Sequence, residues 1–465
     1  MKRALICLLA AAMCLCLLAS CVSKEDIGKI KDRTNKVETI TIPRSEEPDT
    51  TTAGEHDCTT TDNSKEPVIT TTDNSEEPVI TTTDKPDEPQ TPDGPVIASE
   101  GLEIEIWGDY AVVTGIGTCT DTDIVIPSEY NGYPVTDIAE SAFEDCMSIT
   151  SIVIPNCVTN IDDYAFLDCL SLTSIQVLSG NENYISVDGV LFNKDKTELI
   201  CYPAAKSGST YTIPDSVTRL GDYAFTFCTS LTSIEIPDNI TSIGFLTFNG
   251  TALYNNESNW EGGVLYIGKY LIDTNSFEIS DNYVIKDGTK IIADYAFTGC
   301  ESLKNIEIPN SVTSIGMCAF YGCSSLPNIV IPTSVTNISD AAFFECTGLT
   351  SIDLPGSLTI ISEYLFDRCS NLTSVTIGSG VTTIGSGAFY QCGALTNITI
   401  PESVTSIDQL AFCECSSLTS IAIPETVTSI SYSAFYASAL DTIYGKTGSY
   451  AETYANENGI SFVAN

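Results

Sequence analysis

The sequence predicts a mainly β solenoid with short 3₁₀-like or helical turns, built from repeats of about 23 residues. Phenylalanine recurs at this spacing, and a cysteine usually follows it three residues later. Self-similarity at a period of about 20 to 50 residues is typical of solenoids, in which each unit packs mainly on its neighbours. The row consists of Phe143, Phe166, Phe225, Phe248, Phe297, Phe320, Phe343, Phe366, Phe389, Phe412 and Phe435.

Residues 1–21 have the features of a lipoprotein signal peptide. After a short basic start, Ala4–Leu18 is almost continuously apolar but short for a membrane span. The next residues complete Leu18-Ala19-Ser20-Cys21, which resembles the bacterial lipobox, and this resemblance implies lipidation of Cys21 and cleavage before it. The alternative is an ordinary secretory signal with an incidental cysteine.

Residues 22–98 predict a disordered stalk. Thr, Pro, Asp and Glu dominate this segment, and it has too few large apolar residues to form a core. The stretch 59–69 recurs almost unchanged at 70–80. We expect the stalk to hold the following domain away from the lipid anchor.

One repeat, residues 306–326, shows how each coil is built. Ile306 and Ile308 point to one face of a strand because side chains alternate along it. Pro309 ends the strand, since it has no N–H to donate. After two further apolar positions, the turn around Phe320 has an i, i+3, i+6 apolar pattern that suits a tight 3₁₀-like turn.

Caps are predicted at both ends of the stack. Residues 99–141 lack the full repeat and carry alternating apolar runs, which indicates strands that cover the first coil. The solenoid itself is expected over 142–443. Residues 444–465 form the C-terminal cap, with a short helix around Ala451 and a last strand at Ile460–Val463.

Two insertions lengthen the intervals Phe166–Phe225 and Phe248–Phe297. Insertions in solenoids often lie on one face and can carry binding, and the second one contains Trp260. The alternative is that both are thickened repeats that extend the core. We expect the apolar rows of all coils to fuse into one continuous interior.

The unit Leu395–Cys415 has the pattern L-x-x-I-x-I-P-x-x-V-T-x-I-x-x-x-A-F-x-x-C. It resembles the repeat of the BspA-like family of bacterial leucine-rich repeat surface proteins, over about three quarters of the chain. The segment Tyr444–Glu452 is similar to the usual ending of that family. The resemblance implies a cell-surface protein used in attachment to host proteins, other microbes or surface polymers, without identifying the ligand.

The charge balance excludes one class of partner. The chain has 61 acidic and 20 basic residues, with a net charge of −41. A surface this acidic repels phosphate backbones, so we expect no nucleic-acid binding. The acidity either favours cationic partners or serves solubility alone.

Catalysis is not expected. The only histidine is His56, in the stalk, which removes Ser-His and Cys-His dyads and the commonest metal ligand from the folded domain. No phosphate-binding or calcium-loop motif is present. We therefore expect no enzyme activity, no cofactor and no metal ion.

A column of cysteines follows the phenylalanines. Equivalent residues of adjacent coils lie about 4.8 Å apart with parallel Cβ vectors, which suits neither a disulfide nor a tetrahedral zinc site. We expect these thiols to be small, buried apolar fillers. The column comprises Cys146, Cys169, Cys228, Cys300, Cys323, Cys346, Cys369, Cys392 and Cys415.

Two surfaces are candidates for binding. One is an acidic patch in the middle of the strands, at Glu235, Glu307 and Asp353. The other is a stripe directly after the row phenylalanines, expected to be partly exposed and formed by Tyr321, Phe344, Tyr390 and Tyr436. The alternative for both is structural: solvated strand residues and packing between coils.

These observations predict a lipid-anchored protein on the extracellular face of the bacterial envelope, in contact with the membrane through the anchor only. The expected function is non-catalytic binding or adhesion to proteins, host surfaces or other cells. The alternative is a glycan-binding surface lipoprotein that captures polysaccharide, which an exposed Trp260 would favour.

Overall fold

The computed structural model describes residues 97–465, which form a stack of coils. Each regular coil contributes one short strand to each of two faces, so the described part is mainly β. The prediction of a mainly β solenoid with coils of about 23 residues is confirmed. The signal peptide, Cys21 and the stalk up to residue 96 lie outside the described residues.

The N-terminal strands cover the first coils. β1 pairs antiparallel with β2, and β2 then pairs parallel with β5, which leads into the second face through β7. β3, β6 and β8 start the first face as a parallel sheet. The bounds are β1 Glu103–Trp107, β2 Tyr110–Gly115, β3 Asp123–Val125, β4 Glu129–Tyr130, β5 Tyr133–Ile138, β6 Ser151–Ile154, β7 Asn160–Ile161 and β8 Ser174–Val177.

The first insertion adds a coil and a hairpin. β9, β10 and β11 are antiparallel, and β11 then joins the second face by pairing parallel with β13. β12 belongs to the first face, where it pairs parallel with β14. The bounds are β9 Tyr184–Val187, β10 Val190–Asn193, β11 Glu198–Cys201, β12 Thr210–Thr212, β13 Arg219–Leu220, β14 Ser233–Glu235 and β15 Ser242–Ile243.

The second insertion repeats this plan. β16, β17 and β18 are antiparallel, β18 pairs parallel with β20 on the second face, and β19 pairs parallel with β21 on the first. Both insertions therefore extend the stack. The bounds are α1 Ala252–Asn255, a 3₁₀ turn Glu257–Asn259, β16 Trp260–Glu261, β17 Val264–Ile267, β18 Tyr270–Thr274, β19 Asn282–Val284 and β20 Ile291–Ile292.

The remaining coils are regular, with strands of three residues on the first face and two on the second. The sheet of the first face is interrupted between β21 and β23, where Pro327 supplies no amide for the preceding coil. The bounds are β21 Asn305–Glu307, β22 Ser314–Ile315, β23 Asn328–Val330, β24 Asn337–Ile338, β25 Ser351–Asp353, β26 Ile360–Ile361, β27 Ser374–Thr376, β28 Thr383–Ile384, β29 Asn397–Thr399, β30 Ser406–Ile407, β31 Ser420–Ala422, β32 Ser429–Ile430, β33 Thr442–Gly445, α2 Tyr450–Asn458 and β34 Ser461–Ala464.

In the turn that carries each row phenylalanine, successive backbone amides alternate between hydrogen bonds within the turn and hydrogen bonds to the next coil. In the coil of Phe320, the amides of Tyr321 and Cys323 donate to carbonyls three residues back, at 3.0 and 3.1 Å, as in a 3₁₀ turn. Those of Cys318, Phe320 and Gly322 donate to the next coil at 3.1, 2.8 and 2.9 Å. Cys318 and Gly322 have φ of 51° and 70°, and these left-handed residues stop the turn from continuing as a helix.

The hydrophobic core is divided in two by β10. Val190 and Phe192 belong to a cluster that continues to Ala455, whereas Leu191, between them, belongs to a cluster that begins at Leu102. Successive side chains of a strand point to opposite sides, so β10 forms a wall with one cluster on each side. The prediction of one continuous interior is therefore wrong, because the first inserted hairpin separates two sets of coils.

Candidate binding surfaces

The middle residues of the first face are exposed and alternate in character. Val284 is the register partner of Glu307, and Val330 is the register partner of Asp353. The two valines are 62% and 77% exposed, and both carboxylates are exposed. We call Val284, Glu307, Val330 and Asp353 the valine–carboxylate stripe. A shallow depression of about 180 Å³ lies beside Val330 and Asp353.

The predicted acidic patch is therefore not continuous. Glu235 lies on β14, where its carboxylate accepts a hydrogen bond of 2.9 Å from the Thr212 hydroxyl. Glu307 and Asp353 are separated by the strand that carries Val330. Alternation along the strands located the exposed positions, but the sequence interpretation gave weight to their carboxylates and not to the valines between them.

The predicted aromatic stripe is wrong for Tyr321, Phe344 and Tyr390, which are buried, whereas Tyr436 is 40% exposed. The Tyr321 and Phe344 rings lie 5.2 Å apart, and the Arg368 guanidinium covers Phe344 at 5.4 Å. The Tyr390 hydroxyl donates to Glu414 at 3.3 Å. Packing between equivalent positions of adjacent coils therefore takes these side chains out of the solvent.

An acidic residue interrupts this buried aromatic row. Asp367 follows Phe366 as Phe344 follows Phe343, and it is only 1% exposed. Neither carboxylate oxygen has a hydrogen-bond partner in the structure, and the nearest charge, Arg368 Nε, is 3.9 Å away. Burial raises the pKa of Asp367 to about 8. The signal in the sequence was an aspartate between the aromatic residues that hold the same position in the adjacent coils, Phe344 and Tyr390.

Trp260 is half-buried. Its indole N–H donates to the Tyr254 carbonyl at 2.8 Å, and its ring meets the Tyr254 ring edge-on at 5.1 Å. In the same insertion the Tyr266 and Tyr283 hydroxyls are hydrogen-bonded at 2.9 Å. These aromatic groups pack within the second insertion and do not form a flat, open platform.

The column cysteines have a polar role that sequence analysis missed. The Cys346 thiol donates to the Phe320 carbonyl of the preceding coil at 3.1 Å, and the Cys415 thiol to Phe389 at 3.2 Å. Burial raises the pKa of both thiols to about 12, so both stay protonated at neutral pH. The same geometry, at 3.1–3.3 Å, holds for Cys169, Cys323, Cys369 and Cys392.

The rest of the column follows with small variations. Cys228 donates to Tyr202 at 3.5 Å, and the Cys300 sulfur lies 3.2 Å from the Thr274 hydroxyl. Cys146, in the coil next to the N-terminal cap, is half-buried.

Among residues 97–465 no group of three or more His, Cys, Asp or Glu side chains has the arrangement of a metal site. Across the same residues, no helix combines the length and apolarity needed to cross a membrane.

Stacked coils of about 23 residues, each with a short strand on two faces, define a leucine-rich repeat solenoid, a fold that serves as a protein-interaction scaffold, typically without catalysis. A model of the BspA type leucine-rich repeat region matches residues 119–203, 201–280, 267–392 and 338–458. The chain belongs to the BspA-type leucine-rich repeat family. Among curated proteins, none matches it.

Solved structures of bacterial leucine-rich repeat proteins resemble the chain. One from Eubacterium ventriosum is 27% identical over 68% of this chain and 66% of its own, just under two thirds, with a TM-score of 0.29. A leucine-rich cell surface protein from Faecalibacterium prausnitzii is 25% identical over 80% and 96%, with a TM-score of 0.30. One from Bacteroides ovatus is 23% identical over 79% and 99%, with a TM-score of 0.36.

Proposed function

We propose that this chain is a non-catalytic bacterial surface protein that binds protein ligands through the valine–carboxylate stripe. The observation that carries the proposal is the exposure of Val284 and Val330, each beside a carboxylate on the neighbouring strand of the first face. Exposed apolar side chains rimmed by charged groups are typical of protein interaction sites. The net charge of −41 favours ligands with basic surfaces.

The proposal includes a lipid anchor at Cys21 and a stalk formed by residues 22–98. Its support is the lipobox-like sequence and the composition of the stalk. Growth with an alkyne-labelled fatty acid tests it. The wild-type chain should carry the label, and Cys21→Ser should not. Equal labelling of both would contradict an anchor at this residue.

An array of matrix proteins, bacterial surface proteins and glycans tests the binding function, with the full-length purified chain as the probe. Val284→Ser and Val330→Ser together should weaken binding to a protein hit by at least tenfold, because each valine loses most of about 1.5 kcal/mol of burial energy at an interface. Ile360→Ser on the second face, where Ile360 is 44% exposed, is the matched control and should leave binding unchanged.

The outcomes separate the possible functions. Binding only to glycans would replace the protein-binding function with the polysaccharide-binding alternative. Hydrolysis of an arrayed glycan would contradict the non-catalytic assignment. If the double valine variant binds a protein hit as tightly as the wild type does, the binding site lies elsewhere on the solenoid.

A further inference from the structure

The first inserted coil lacks two of the residues that, in a regular coil, form the corner between the second-face strand and the row phenylalanine. Four residues separate the second-face strand from the row phenylalanine in the coil of Ile161 and Phe166, but only two separate Leu199 from Tyr202. Tyr202 takes the phenylalanine position, since its amide donates to the Ala224 carbonyl at 2.7 Å and its ring lies 5.3 Å from Phe225. The inserted coil therefore contributes a residue to the phenylalanine row but has no residues at the corner that precedes this row.

The missing corner leaves backbone donors without acceptors. In the next regular coil, the amides of Tyr223, Phe225 and Phe227 donate to the following coil at 2.9, 2.8 and 2.8 Å. The equivalent amides of Tyr164, Phe166 and Asp168 have no such acceptor within residues 97–465. Asp168 also has a buried carboxylate oxygen without a hydrogen-bond partner. Such groups are costly unless something outside the described chain satisfies them.

These groups line an open cleft of about 110 Å³ between the two core clusters. Phe166 is 9% exposed there, whereas Phe320 and Phe343 in the middle of the stack are fully buried. The cleft also has an acidic lining, contributed by Asp162, Asp163, Glu198 and Asp222. Its one cation, Arg219, is already paired with Glu198 at 2.8 Å.

The second insertion shows the same deletion, since only two residues separate Leu271 from Thr274. There too, the equivalent amides of Leu246, Phe248 and Gly250 have no acceptor in a following coil among the described residues. The Asp294 amide donates directly to the Ile243 carbonyl at 3.0 Å. Aromatic rings of the flanking coils meet at both insertions, Phe245 with Tyr295 at 4.3 Å and Tyr164 with Tyr223 at 5.0 Å. The bond between flanking coils has no counterpart at the first insertion among the described residues. The first insertion therefore lacks the backbone bond that ties the flanking coils together at the second.

We propose that this cleft binds an extended peptide segment that carries lysine or arginine side chains. The peptide carbonyls replace the missing corner as acceptors for the amides of Tyr164, Phe166 and Asp168. The basic side chains lie against the carboxylates of Asp162, Asp163 and their neighbours. A neutral glycan would leave the carboxylates uncompensated. The inference rests on the proposed protein-binding function and assigns it a second, separate site with a defined ligand class.

The test uses the full-length chain and two fluorescein-labelled octapeptide libraries with blocked ends. One library has lysine at alternate positions and the other has glutamate, with mixed residues between. We expect binding of the lysine library only. Asp162→Asn with Asp163→Asn should weaken it about fivefold to tenfold, since each exposed charge contributes modestly. Ala204→Phe, which places a large side chain at a position that lines the cleft, should abolish binding.

The charge-matched control is Glu301→Gln with Glu402→Gln, two exposed carboxylates remote from the cleft in sequence. This variant should bind the lysine library as the wild type does. Equal loss in both double variants would mean nonspecific attraction and would overturn the inference, as would equal binding of the two libraries. The valine–carboxylate stripe is tested by its own substitutions. If the cleft binds no peptide, the proposed function of the stripe is unaffected. If the valine substitutions do not weaken binding, the result for the cleft is likewise unaffected.

Discussion

Asp367→Asn tests the energetics of the stack most sharply, because it replaces one buried ionisable group without changing its shape. The Asp367 carboxyl is fully enclosed between the aromatic positions of adjacent coils. The charged groups that face it are Arg368, which lowers its pKa, and Glu345 and Glu414, which raise it. Burial is the dominant cause, and the net result is a pKa of about 8.

The magnitude follows from proton linkage. The folded pKa of about 8 lies above the ordinary value of 3.8, so unfolding at neutral pH releases a proton from Asp367. Its contribution to stability is fully present below pH 3.8 and is lost as the pH rises towards 8. At 1.36 kcal/mol for each pKa unit, the loss between pH 4 and pH 7 is on the order of 4 kcal/mol.

Urea unfolding followed by circular dichroism at pH 4 and pH 7 measures this loss. The wild-type chain should become less stable relative to Asp367→Asn as the pH rises, and the variant should be the more stable of the two at pH 7. Asp353→Asn, which removes an exposed carboxylate, is the control and should follow the wild type. Parallel pH profiles for the wild type and Asp367→Asn would refute the assignment of a buried, protonated carboxyl.

Three further predictions concern the rows of the stack. Phe343→Ala should cost about 3 to 5 kcal/mol, and Phe166→Ala less, because Phe343 has ring neighbours at 5.4 and 5.6 Å on both sides and Phe166 has one at 6.1 Å; equal shifts of the urea midpoint would contradict this. Cys346→Ala should cost about 1 kcal/mol, because the Phe320 carbonyl loses one of its two donors and keeps the Cys323 amide, and Cys346→Ser should recover part of the loss in the same assay. Gln391→Gly should raise the melting temperature, because φ of 55° strains a residue with a side chain by about 1 kcal/mol; a lower melting temperature would mean that the hydrogen bond from Gln391 to Glu414 matters more.

The periodic features of the fold could be predicted because each depends on a local pattern. The spacing of the phenylalanines located the coils, and the last segment formed a helix at Tyr450–Asn458 and a strand at Ser461–Ala464, close to the prediction. The two-part core could not be predicted. Whether Val190 and Leu191 face the same interior depends on where the inserted hairpin enters the stack, and no local pattern encodes that.

The candidate surfaces were predicted less well, for a related reason. The middle positions of the strands are exposed, as alternation requires. The position after each phenylalanine has no such rule, and Tyr321 and Phe344 are buried by contact with each other across coils. The open corner at Phe166 depends on a two-residue deletion in an insertion, which becomes visible only when Tyr202 is recognised as the row residue.

The central claim is that a protein ligand contacts the valine–carboxylate stripe. Site-specific photo-crosslinking tests it directly, with a benzophenone amino acid at position 330 in one full-length chain and at position 360 in another. Position 330 should crosslink to a protein ligand identified on the array, and position 360, on the second face, should not. Crosslinking from position 360 alone would contradict the account.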